Sequence, residues 1–92
     1  MQMYIHKIRV SKQTGNIISV AAYEPGSNTS YWIKREFIAQ LINQGVPFNT
    51  RYKKDNKLVT GARVEVYETN FLRTAPNGTE RDNLESLPTE QV

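Results

Sequence analysis

One stretch of this chain repeats its apolar residues at helical spacing: Phe37, Ile38, Leu41 and Ile42 fall on a single stripe. Residues three and four apart in a helix share one face, so the stripe needs a surface to cover it. Lys34, Arg35 and Gln40 lie largely outside it. Gly45 suits the left-handed residue that closes a helix, and Pro47 cannot continue one. The start has two solutions. Ser30 offers a capping oxygen, whereas Trp32 and Ile33 can finish an extended segment, with the helix beginning near Lys34.

The segments around the stripe alternate instead. Residues 4–10 read as a strand, with His6, Ile8 and Val10 on one face and Lys7 and Arg9 on the other. After a polar turn at 11–16, residues 17–23 read as a second strand, in a hairpin with the first. Residues 24–30 form a loop. Past the helix, Phe48, Thr50 and Tyr52 alternate with Asn49, Arg51 and Lys53, and Asp55-Asn56 tolerates the left-handed turn of a tight hairpin. Residues 58–68 resume the alternation at Ala62, Val64 and Val66, with Gly61 marking a bulge. Residues 70–74 make a last strand, and Leu84 and Leu87 in the turn-rich ending plug an open end of the core. The order is β-β-α-β-β-β. The expected fold is α+β, an antiparallel sheet with a single helix packed on one face. A half-open small β-barrel of the same strands is the alternative. With 92 residues the chain holds one domain, placed at 1–88, with 89–92 expected to fray.

Composition excludes several chemistries. Without cysteine there is no disulfide framework, and one histidine is too few for a zinc site of nitrogen and sulfur ligands. Asp82 and Glu85 are two carboxylates beside a turn, where solvated charge is the ordinary outcome. His6 has no serine or cysteine set beside it by a nucleophile motif and reads as a partly buried ring. The glycines at 15, 26, 45, 61 and 78 make no phosphate-cradling cluster. The expectation is a non-enzyme with no metal and no cofactor. No uncharged stretch approaches the roughly 18 residues of a membrane span, and Lys7 arrives before any apolar run of signal-peptide length. A cytoplasmic protein without a membrane partner is expected.

Charge points toward a partner. Residues 1–64 carry ten Lys or Arg against three Asp or Glu, and residues 65–92 carry two against six. Such a basic body with an acidic end either attracts an anionic partner or neutralises itself within the fold. Arg51, Lys53, Lys54 and Lys57 crowd one hairpin with Tyr52 among them. Such side chains can contact phosphates, with the ring stacking on a base, or can keep a hairpin soluble and its edge unpaired. Trp32 anchors the helix if it is core and is an interaction hot spot if it is surface. Arg73 can brace a turn or a carboxylate such as Asp82, or receive a ligand's anionic group. Two functions follow. One is a non-catalytic module that binds an anionic partner such as nucleic acid through the basic hairpin. The alternative is a protein-interaction or inhibitor domain that uses a sheet edge or the Trp32 region.

The ending carries a more particular pattern. Phe71-Leu72-Arg73-Thr74-Ala75-Pro76-Asn77, followed by Asp82-Asn83-Leu84-Glu85-Ser86-Leu87-Pro88, resembles an uncharacterised prokaryotic family, domain-of-unknown-function family 3892. That family ends on aromatic-Leu-Arg-Thr, a Pro-Asp turn, then Asn-Leu and Leu-Pro. Trp32, Arg35, Ile38 and Gly45 around the helix, and Val64 and Val66 in a strand, extend the resemblance over residues 32–88. Asn77 stands where the family usually has Asp, and Thr89-Glu90 replaces an acidic-Cys dipeptide that often follows Leu-Pro. The resemblance supports the domain boundaries and implies no activity or ligand.

Overall fold

The computed structural model describes residues 1–76, 78 and 80–92, with Glu80 described in its backbone alone. The Asn77 position of the family pattern lies outside the described residues. Seven strands and one α-helix follow in the order β1 (Met3–Val10), β2 (Ile17–Tyr23), β3 (Tyr31–Lys34), α1 (Arg35–Asn43), β4 (Phe48–Lys54), β5 (Lys57–Tyr67), β6 (Phe71–Thr74) and β7 (Thr89–Gln91). Two short 3₁₀ turns, Glu80–Asp82 and Leu84–Ser86, precede β7. The sheet runs β3-β2-β1-β4-β5-β6, with β7 beside β1. It is open, so the α+β fold with one helix holds and the barrel does not.

The expected order β-β-α-β-β-β is corrected by two further strands, β3 before the helix and β7 after β6. The sheet, expected to be antiparallel, is mixed, because β1 runs parallel to both β4 and β7. The helix between the β1–β2 hairpin and β4 supplies the crossover that a parallel pair requires. Residues 89–91, expected to fray, instead pair with β1. Val92 also donates to the Val10 carbonyl and accepts from the Lys12 amide, each at 3.0 Å.

The parallel neighbours of β1 divide its edge. β4 pairs with its first residues, Met3 to Ile5, and β7 pairs with its last, Ile8 to Val10. Between them the sheet forks. Leu84 and Leu87 close the inner side of the fork, 0% and 3% exposed, in one cluster with Ile5, Ile8, Val20, Phe48, Val64 and Leu72. The ending thus fills the place where β4 leaves β1, as the plug expected of these two leucines.

Local chemistry explains the other elements. Asp55 and Asn56 both take positive φ, 53° and 64°, the geometry of a two-residue hairpin turn. Gly45, at φ 97°, ends α1, with its amide bonded to the Ile42 carbonyl and the Val46 amide to Leu41. The helix begins at Arg35, after Trp32 and Ile33 have finished β3. Its buried face is Ile38 and Ala39, while Phe37, expected inside, is 53% exposed. The inward stripe is rotated toward Ala39, and Leu41 and Ile42 flank it half-buried. In β1 the pairing slips between Ile5 and Lys7, leaving His6 as the extra residue of a bulge. The bulge turns Ile5 and Ile8, three apart, to the same buried face; simple alternation would have paired His6 with Ile8.

Candidate functional site: a cationic cleft at the sheet fork

On the side of the fork away from the leucine plug lies an open cleft of about 610 Å³. β1 contributes His6 and Lys7, β4 contributes Arg51, Tyr52 and Lys53, and the first 3₁₀ turn contributes Arg81. The loop at 27–30 forms another wall, ordered by the Ser27 hydroxyl, which donates to the Thr29 carbonyl and accepts from its amide, both at 3.1 Å. Four Lys or Arg side chains therefore line the cleft, and no carboxylate is among its described lining residues.

Aromatic rings, not acids, hold two of the guanidiniums. Arg51 lies 4.2 Å from the centre of the Tyr4 ring, and Arg81 lies 5.1 Å from that of Tyr52. A ring face attracts a cation without neutralising it, so the full charge stays available. Arg81 also donates to the Lys53 carbonyl at 3.3 Å. Arg51 is half-buried, and its Nε is shut off from solvent with no hydrogen-bond partner.

Two other arginines of the sheet lie over rings, Arg9 over Trp32 and Arg73 over Tyr67, and have acid partners as well. Arg9 meets Glu90 at 2.9 Å and Arg73 meets Glu65 at 3.5 Å. Arg73 thus braces β6 against the residue opposite it on β5, and it lies outside the cleft. Its partner is Glu65 and not Asp82.

Tyr52 and His6 set the cleft's floor chemistry. The Tyr52 hydroxyl donates to Asp82 Oδ1 at 2.7 Å. That bond, with burial adding to it, raises the phenol above its ordinary value. With Arg81 over its ring, Tyr52 props a cation rather than offering a free face to a base. The His6 ring packs edge-on against Tyr23 at 5.2 Å between centres. Burial, assisted by Lys7, pushes its imidazole below the ordinary value, and its Nε2 is buried without a partner.

Of the residues the sequence singled out, Arg51, Tyr52 and Lys53 come together here. Lys54 and Lys57 are exposed beyond the cleft, at the hairpin tip. Trp32 lies elsewhere, on β3 opposite Ala21, 36% exposed with the Arg9 guanidinium 3.8 Å over its ring. The sequence reading missed Lys7 and Arg81 as cleft residues. Arg81 stands 28 residues from Lys53 and in a different charge block, and no spacing rule joins the two. Among the described residues, no group of three or more His, Asp or Glu side chains is placed to hold a metal ion. No helix among them is long and apolar enough to cross a membrane.

An open mixed sheet with one helix and a cationic cleft at its fork defines a small α+β domain. The chain matches the family described as protein of unknown function (DUF3892) over residues 4–88, nearly its whole length, and belongs to that family. No curated protein and no solved structure shows a significant match to it.

Proposed function

We propose that this protein is a non-catalytic, cytoplasmic module that binds an anionic partner, nucleic acid, at the fork cleft and along the basic hairpin above it. One observation carries the reading: four cationic side chains line a single cleft with no carboxylate among its described lining residues, while Arg9 and Arg73 elsewhere are paired with Glu90 and Glu65. A cysteine-free chain is indifferent to the reducing cytoplasm.

The test is anisotropy of labelled single- and double-stranded DNA and RNA, titrated at two salt concentrations. Three or four phosphate contacts predict a loss of about 20- to 50-fold in single-strand affinity between 50 and 200 mM salt. Replacing Arg51, Lys53, Lys54 and Lys57 together with Gln abolishes binding. The reading fails if nothing binds better than about 100 μM at 50 mM salt, the weak end of non-specific association.

The second reading, a protein-docking surface, draws on edge strand β3. Tyr31 is 65% exposed there, next to the part-exposed Trp32, and Phe37 stands out from the first turn of α1. It predicts a contact that depends little on salt and is weakened by Tyr31→Ala or Phe37→Ala.

A further inference from the structure

We infer that the fork cleft is a seat for a nucleoside phosphomonoester, the group found at the phosphorylated end of a strand or in a free mononucleotide. This deepens the reading above and takes from it the sign of the ligand's charge.

Size argues first. Grooves that track a single strand hold about 4–16 nucleotides per domain, whereas clefts of about 300–1,000 Å³ take one compact ligand. At about 610 Å³ this cleft belongs to the second kind. It has room for one nucleotide and not for a run of them.

Charge argues next. Lys7, Arg51, Lys53 and Arg81 line one cleft with no carboxylate among its described lining residues. Asp82, outside the lining, is charged but has one carboxylate oxygen turned to the Tyr52 hydroxyl. An internal phosphodiester brings one negative charge and leaves most of this repulsion in place. A phosphomonoester brings close to two charges and three acceptor oxygens at neutral pH. Guanidiniums already held over Tyr4 and Tyr52 meet those oxygens with little ordering left to do.

The opposite wall suits the rest of a nucleotide. Ser27, Asn28, Thr29 and Ser30 present hydroxyl and amide groups to the same space, the donors and acceptors that sugar hydroxyls and base edges use. Lys54 and Lys57, outside the cleft, lie where following phosphates of a strand would run.

The experiment uses the full chain and short labelled single strands carrying a 5′-phosphate, a 3′-phosphate or neither. A nucleoside monophosphate and the matching nucleoside serve as competitors. One phosphorylated end should bind on the order of tenfold more tightly than the hydroxyl-ended strand, and the monophosphate should compete where the nucleoside does not. Arg81→Gln should erase that preference, and Lys53→Gln should reduce it. Lys54→Gln with Lys57→Gln should weaken all strands equally and keep the ratio. All four of these side chains are exposed, so the Arg81, Lys53, Lys54 and Lys57 variants should fold. Strands that bind without regard to their end phosphate overturn this inference and leave the nucleic-acid reading standing. A bound monophosphate with no bound strand upholds the cleft and ends the nucleic-acid reading. Binding of neither overturns both.

Discussion

The Thr50 hydroxyl, wholly buried in β4, donates to the backbone carbonyl of Asp82 at 2.6 Å. This bond fastens the first 3₁₀ turn to the strand that carries Arg51 and Lys53, and it sets Arg81 at the cleft. Thr50→Val keeps the shape and leaves the Asp82 carbonyl without that donor. A loss of about 1–3 kcal/mol by urea unfolding is expected, together with weaker anion binding because Arg81 is released.

Gly61 makes the same junction possible. It lies where the β4–β5 register slips, and a side chain there would press on Thr50 Oγ1 and come within 3.2 Å of the Asp82 Cα. Gly61→Ala should therefore cost on the order of 1–3 kcal/mol through overpacking. An unchanged unfolding midpoint would show that the 3₁₀ turn does not sit against β5.

Helix and ending should separate by truncation to alanine. Ile38 and Leu84 are both fully buried, and each should lose about 2–5 kcal/mol. Phe37, more than half exposed, should lose under about 1 kcal/mol despite its larger side chain. Equal losses at positions 37 and 38 would mean that the inward face of α1 is misassigned.

Removing residues 89–92 takes away β7, its pairing with β1 and the Arg9–Glu90 ion pair. Since β7 is exposed throughout, the cost should be modest, on the order of 1–2 kcal/mol, mainly from backbone hydrogen bonds. Amide exchange should quicken at Lys12, whose amide loses its Val92 carbonyl partner. Unaltered exchange at Lys12 would contradict the pairing.

His6 gives a dependence on acidity. Its value in the fold lies below the ordinary 6.5, so the unfolded chain takes up the proton first as pH falls. The contribution of the neutral ring is complete above about pH 6.5 and is lost as pH falls toward the folded value. His6→Phe removes the titration, and its unfolding free energy should change less between pH 7.5 and 5.5 than that of the parent chain. Parallel curves for the two proteins would count against a buried neutral imidazole.

Much of the architecture was legible because local chemistry decided it. Asp55-Asn56 names its turn, Gly45 and Pro47 close the helix, and the alternation of Phe48 and Thr50 gives the buried face of β4. Where the reading failed, a distant partner was responsible. Parallel pairing of β1 depends on strands more than forty residues away, and the His6 bulge depends on how β2 meets β1. Phe37 fits the helical period as well as Ile38 does; only the docked position of α1 separates them. Half of the proposed site could be read from the charge run at 51–57. Lys7 and Arg81 could not, because the fork that brings them beside Arg51 exists only in three dimensions.

The divided edge of β1 also bears on the order of events during synthesis. Arg9 and Glu90 stand 81 residues apart, so the second half of β1 waits for the final strand long after its first half can pair with β4. A ribosome-bound chain from which β7 has yet to emerge exposes backbone donors and acceptors at Ile8 to Val10, an edge open to foreign strands. The arrival of β7 is then what seals this edge of the nascent protein against pairing with its neighbours.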